Sequence, residues 1–155
     1  MVKTGALAAL LLTAAVILSG CATVTMHHYR VYSYECCSSA DVNAVYSPGD
    51  VIHLHWTAHA TTVTAATRPS SPTITAELLP GSKSVVGAKA IGTKAGKTAP
   101  IAKAPAIHPS VTSPGRVISE IAIPADAEPG YYTLSFLTTW SPGTSAGGAT
   151  MIQVK

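Results

Sequence analysis

Apolar and polar residues alternate along several short stretches of the chain, and this alternation constrains the fold more than any other feature. In VIHLHWT, which begins at Val51, the apolar residues Ile52, Leu54 and Trp56 alternate with histidines. A period of two places successive side chains on opposite faces of a strand, whereas a helix repeats about every 3.6 residues. The sequence therefore predicts strands with one buried face. The same period recurs in RVISEIAIP (116–124), YYTLSFLTTW (131–140) and ATMIQVK (149–155).

Turn motifs separate these stretches. Pro and Gly stand together at residues 48–49, 80–81 and 142–143, where Pro presets φ and Gly accepts positive φ. Outside the N-terminus no apolar stripe has useful helical length. Many short strands joined by such turns are typical of an all-β fold, an antiparallel sandwich. Three further stretches are weaker strand candidates: TITAELL (73–79), KSVVGAKAI (83–91) and HHYRVYSY (27–34).

One segment specifies the sandwich further. IPADAEPGYYTLSF, residues 123–136, resembles the corner before the penultimate strand of bacterial immunoglobulin-like and fibronectin-type-III-like domains. The resemblance implies that the hydroxyl of Tyr132, which follows Asp126 and Gly130, bonds back to the backbone. YSPGDVIHLHW is similar to the second strand of such domains, with Trp56 as the buried aromatic residue. This fold hosts many unrelated functions, so the resemblance implies no activity.

The N-terminus predicts a secretory signal peptide in residues 1–20. Lys3 precedes an uncharged stretch whose dense apolar part, residues 6–18, has the length of a signal-peptide core and is short for a spanning helix. Leu18, Ser19, Gly20 and Cys21 then resemble the lipobox of bacterial lipoproteins, an aliphatic residue and two small residues before an obligatory cysteine. The resemblance implies cleavage before Cys21 and acylation of its thiol.

Acylation of Cys21 predicts where the protein is located and how the chain is divided into segments. Two or three acyl chains on one residue anchor a protein stably, whereas a single chain binds a membrane only marginally. We therefore expect the protein to be lipid-anchored on the extracytoplasmic face of a membrane, in the periplasm, on the outer membrane or on the cell surface according to the host. Residues 21–23 would be the lipidated tether, and residues 24–155 the immunoglobulin-like domain.

The middle of the chain is basic. Six Lys or Arg residues and no acidic residue lie between Leu78 and Ser119. Within it, residues 88–115 are rich in Lys, Ala and Pro, and their prolines exclude a long helix, so we predict an exposed loop. The loop could contact anionic headgroups or a cell-wall polymer, or its lysines could simply keep it solvated. The lysines lack interleaved aromatic residues, and no nucleic-acid partner is predicted.

Two cysteines remain after Cys21 is acylated. Cys36 and Cys37 are adjacent, and outside the cytoplasm we expect them to be oxidised. The alternatives are a disulfide between the two neighbours, an intermolecular bridge or free thiols, and a metal-binding role.

Histidines are concentrated in the first part of the chain. His53 and His55 point to the same face of their predicted strand, about 7 Å apart at Cα. With a third ligand from His27 or His28 on a neighbouring strand, they could bind copper or zinc. The alternative is that both histidines are simply the outward side chains opposite Ile52, Leu54 and Trp56.

No catalytic signature is present in the sequence: G-x-S-x-G, H-E-x-x-H, S-x-x-K and a phosphate-binding glycine loop are all missing. We therefore expect no enzyme. The predicted function is a membrane-anchored binding or envelope-structural module whose partner is an envelope protein or a cell-wall polymer. The alternative is an extracytoplasmic copper- or zinc-binding protein.

Overall fold

The structure is a computed structural model that describes residues 23–111, 115–141 and 143–155. The predicted signal peptide and Cys21 lie outside the described residues. Within them, no helix has the length and apolar character needed to cross a membrane. The elements in chain order are β1 (His27–Glu35), α1 (Ser39–Asn43), β2 (Val45–Tyr46), β3 (Val51–Ala65), β4 (Thr73–Leu78), α2 (Val85–Gly92), β5 (Ala102–Lys103), β6 (Val117–Ala122), β7 (Gly130–Trp140) and β8 (Thr144–Val154).

The strands form two sheets, as the predicted all-β fold requires. One sheet has the order β1-β3-β6 and the other β2-β8-β7-β4-β5. The long strand β3 changes partners along its length: residues 51–56 pair with β6 and residues 57–65 pair with β1, both antiparallel. β3 therefore has a lower half that pairs with β6 and an upper half that forms a two-stranded ribbon with β1.

The alternating residues of the sequence make the core. Ile52, Leu54 and Trp56 are buried on β3, and their neighbours Val51 and His53 are exposed. Side chains from both sheets meet in one cluster, and the lower half of β3, β4 and β6 bury one face as predicted. The cluster also contains Ala76, Leu78, Ala104, Ile121, Ile123, Tyr132, Leu134, Ile152 and Val154.

The predicted tyrosine corner is present. The Tyr132 hydroxyl donates to the carbonyl oxygen of Glu128 at 2.6 Å, as the resemblance to immunoglobulin-like domains implied. Burial, followed by the nearby Glu128 carboxylate, raises the pKa of the Tyr132 phenol, so the hydroxyl keeps its proton and remains a donor. The ring lies directly against Gly81, where any Cβ would collide with it. Gly81, in the turn at residues 80–81, is thus required for the close approach of the Tyr132 ring to the backbone.

The prediction of a strand in KSVVGAKAI is wrong, because residues 85–92 form α2. The Ser84 hydroxyl caps this helix by accepting from the Gly87 N–H at 3.1 Å. Ala88 is fully buried against β7, where Thr133 Oγ1 donates to its carbonyl oxygen at 2.7 Å. Gly92 also lies against Thr133. Small residues therefore let a short helix pack on the sheet, and this packing outweighs the local preference of the valines for a strand.

Residues 88–111 pack on the sheet more closely than a solvated loop would. After α2 the chain follows the open edge of β4: the Ile101, Ala104 and Ile107 N–H groups donate to carbonyl oxygens of β4 at 2.8–3.0 Å. Ala104 is buried. Pro100 and Pro105 have no N–H group and take no part in these bonds. The segment covers a sheet edge, which the predicted exposed loop did not anticipate.

Candidate functional site

The two cysteines lie where the sheets meet. A disulfide joins Cys36 and Cys37, and the peptide bond between them is cis. The pair directly follows β1 and precedes Ser38, the N-cap of α1. Cys36 packs against both core clusters and Cys37 against the larger one. The disulfide therefore packs against the core at the end of β1.

Asp41, which the sequence analysis missed as a site residue, connects α1 to β3. It is only 7% exposed. Its Oδ2 accepts from the backbone N–H groups of His55 at 2.9 Å and of Ser38 at 3.1 Å, and its Oδ1 accepts from His55 Nδ1 at 2.9 Å. Burial alone would raise the pKa of the Asp41 carboxyl, but the bonds from His55 and Ser38 outweigh it and lower that pKa. The capping-box spacing from Ser38 was the available sequence signal.

His55 is held by two charged neighbours. Its Nδ1 donates to Asp41, and its Nε2 accepts from the Arg116 guanidinium at 3.2 Å. Both ring nitrogens are occupied, so this arrangement orients the ring and connects α1, β3 and the start of β6.

The predicted metal ligands are not brought together. His53 contacts Glu120 at 3.3 Å, while His55 faces Asp41. His27 and His28 lie opposite Ala65 and Thr64, at the far end of β3 and on the order of 30 Å from His55 at 3.3 Å per residue. β1 does pair with β3, as a third ligand from His27 or His28 would require, but it pairs with the half that lies away from His53 and His55. Across the described ranges, no group of three His, Cys, Asp or Glu side chains could hold a metal ion.

An open groove of about 330 Å³ lies where β1 and β8 face each other, and we call it the seam groove. The rings of Trp56 and Phe136 meet at its base, edge to face, with centroids 5.9 Å apart. Tyr34 closes one side, with its hydroxyl donating to the carbonyl oxygen of Ser110 at 3.1 Å. The seam groove is thus largely apolar and aromatic. Its lining comprises Tyr34, Glu35, Cys36, Trp56, Phe136, Thr138, Ala146 and Gly147.

The β8 side of the seam groove is built from small residues. Residues 144–149 are all exposed, although they pair with β7 along their whole length. A Cβ at Gly148 would lie 2.9 Å from the Phe136 ring, so the glycine lets this ring fill the space beside the strand. Sequence reasoning assigned only the last residues of β8, because SAGGA carries no alternation.

No protein-family model matches the chain, and no curated protein sequence matches it significantly.

Proposed function

We propose that the protein is a bacterial lipoprotein, acylated at Cys21, whose immunoglobulin-like β-sandwich acts as a binding or envelope-structural module on the extracytoplasmic face of a membrane. The observation that carries this proposal is the sequence Leu18-Ser19-Gly20-Cys21, which ends six residues before β1 begins at His27. An acylated Cys21 would therefore hold the domain close to the bilayer, because an extended chain spans at most about 3.3–3.6 Å per residue.

The immunoglobulin-like assignment has independent support. Two sheets, antiparallel except for the short β2–β8 pair, share a core, a buried tryptophan packs in the smaller adjoining cluster, and a tyrosine corner lies at the start of the last strand pair. Trp56 Nε1 donates to Ser119 Oγ at 3.0 Å, so its polar edge is satisfied inside the sandwich. The disulfide of Cys36 and Cys37 agrees with an oxidising compartment.

The position of the anchor orients the molecule. His27 lies at the tip of the ribbon that β1 forms with the upper half of β3, opposite Ala65. The exposed Val24 and Met26 precede that tip, with 67% and 55% of their surface accessible. On a membrane the ribbon tip would face the bilayer, while the tyrosine corner would lie at the opposite end.

A binding role rests on the seam groove. It is open and apolar, and it lies between two strands that have free edges in the part of the chain that is described. Exposed apolar recesses of this kind are typical of interaction sites. Asp41 and His55 do not line the seam groove. They bond to each other, to backbone N–H groups and to Arg116.

Acylation is tested with Cys21→Ser in a bacterial host that processes lipoproteins, compared with Ser19→Ala as a matched control that keeps a small residue in the box. The unchanged chain and Ser19→Ala should incorporate labelled palmitate and partition into detergent as a shortened protein. Cys21→Ser should remain unlabelled and unprocessed. A Cys21→Ser chain that is still shortened and lipid-labelled would refute the proposal.

A further inference from the structure

Residues 144–152 of β8 form a long sheet edge without charge or proline. Within the described residues, β8 pairs with β7 on one side, and on the other side only residues 153–154 pair, with β2. Residues 144–152 therefore present one row of backbone N–H and C=O groups without a partner strand. Natural proteins guard such edges with charge, proline, bulges or a covering helix or loop, because an open edge is a template for another strand. α1, which directly precedes β2, also contacts β8.

The terminal strands β1, β6 and β5 differ from this edge of β8 in charge or in length. β1 carries His28, Arg30 and Glu35, and β6 carries Glu120. β5 is two residues long, and its Lys103 contacts Glu77 at 3.0 Å. Residues 144–152 read TSAGGATMI, with no charge and no proline. The open edge of β8 is thus long and carries neither a charge nor a proline.

We propose that the free edge of β8 pairs antiparallel with the same edge of a second copy of this chain. In a strand paired with itself about a two-fold axis, residues near the centre lie close to their own copies, so a charge there would face its like. Residues 144–152 carry none. A pairing centred near Gly148 would place residue 144 of one copy opposite residue 152 of the other and would leave β2 undisturbed on residues 153–154.

The side chains around the glycines favour a neighbouring strand. Leu137 lies directly opposite Gly147 and remains 43% exposed, because Gly147 has no side chain to cover it. A recess of about 460 Å³ on this outer face includes Leu137, Gly147 and Gly148, and the seam groove borders Gly147 on the inner face. A strand added at this edge would place alternate side chains over both recesses.

The expected contact area between the two copies is small, so the pairing would depend on the membrane anchor. One strand pair with small side chains buries less than the roughly 800 Å² per partner of a standard interface. The inference therefore rests on the proposed function, since acylation would confine both copies to one membrane surface and raise their effective concentration. The two five-stranded sheets would then continue into one another across the pair.

The test is chemical cross-linking of the full chain in the membranes of the producing cells. Ala149→Cys introduces a thiol one residue from the proposed centre, and Thr139→Cys places a matched exposed thiol on the inner strand β7. Cys36 and Cys37 are already bonded to each other. A short bis-maleimide should join Ala149→Cys into a dimer, and the dimer yield should exceed that of Thr139→Cys several-fold. Adding Ser145→Lys to Ala149→Cys should remove most of the dimer, whereas adding Thr139→Lys should not.

The outcomes separate this inference from the anchor. Equal cross-linking of Ala149→Cys and Thr139→Cys, no dimer, or an adduct with a different protein would each overturn the self-pairing. Palmitate labelling is read on the same samples. A labelled protein without the dimer refutes the pairing alone, while a dimer without the label refutes the anchor and keeps the pairing.

Discussion

The two halves of β3 have the same backbone conformation and opposite environments. In the lower half, residues 51–56, Ile52 and Leu54 are fully buried and the strand pairs with β6. In the upper half, residues 57–65, the strand pairs with β1, and every side chain is exposed or half-buried. The lower half is held by the core of both sheets. The upper half depends on pairing with β1, with little burial beneath it.

This difference predicts a gradient of stability along one strand. A two-stranded hairpin is marginally stable by itself in water, and regions with few buried contacts open at lower free energy than the core. Near the boundary a few contacts reinforce the ribbon: Tyr34 is buried, and Glu35 contacts His59 at 3.2 Å. Toward His27 and Ala65 such support decreases. The part of the domain nearest the proposed anchor should therefore be its least stable part.

The largest effect is expected from Trp56→Ala, at the top of the lower half. Removing a buried aromatic side chain should lower the free energy of unfolding by about 3–5 kcal/mol. Urea unfolding followed by circular dichroism would measure it. Thr61→Ala, on the ribbon, is the matched control and should stay within about 0.5 kcal/mol of the unchanged chain. A loss of under about 1 kcal/mol for Trp56→Ala would contradict the assigned core.

A smaller and pH-dependent effect is expected from Asp41→Asn. Asp41 accepts hydrogen bonds that fix α1 to the lower half of β3. Because Asn keeps one oxygen that can accept them, the loss should be about 1.5–3 kcal/mol, the contribution of one hydrogen bond to a charged group. Because the pKa of Asp41 is lowered in the folded state, its contribution is present above the unfolded carboxyl pKa and is lost as pH falls through the folded value.

The melting temperatures of Asp41→Asn and the unchanged chain should therefore differ at pH 7 and converge in strong acid. Glu120→Gln serves as the control, because Glu120 is an exposed carboxylate that contacts the exposed His53 on the same half of β3. Its effect should be close to zero at either pH. A difference for Asp41→Asn that stays constant with pH would show that the carboxylate charge does not hold α1 in place.

The smallest effect concerns the tyrosine corner. Tyr132→Phe keeps the ring in the core and removes only the bond to the Glu128 carbonyl oxygen, which should cost about 0.5–1.5 kcal/mol. Tyr131→Phe is the natural control, since Tyr131 is a neighbouring half-buried tyrosine on the opposite face. Thermal unfolding of both variants would measure the difference. Equal stability of the two variants would mean that the corner bond contributes nothing to the fold.

The sequence predicted the parts of the molecule in which local pattern and burial agree. Alternation identified Ile52 and Leu54 as core residues, and the corner motif identified the bond made by Tyr132. The pairing of β1 with the upper half of β3 was not predictable, because the register of a two-stranded ribbon depends on contacts far apart in the chain. That register explains why His27 and His28 lie far from His53 and His55.

Other elements were missed because packing decides them. α2 forms where Ala88 can pack on Thr133, and nothing in its local composition indicates that contact. Asp41 was missed because its contact with His55, which is fourteen residues away in sequence, exists only once α1 packs on β3. The seam groove likewise requires both sheets, since Trp56 and Phe136 come from different ones.

Native-state hydrogen exchange along β3 tests the central claim most directly. Amide exchange read residue by residue should show strong protection across residues 51–56 and progressively weaker protection from residue 57 to residue 65, as pairing with β1 replaces burial in the core. Trp56→Ala should weaken protection in the lower half and change the ribbon tip little. Uniform protection along the whole of β3 would contradict the account, because the core and the ribbon would then unfold as a single unit.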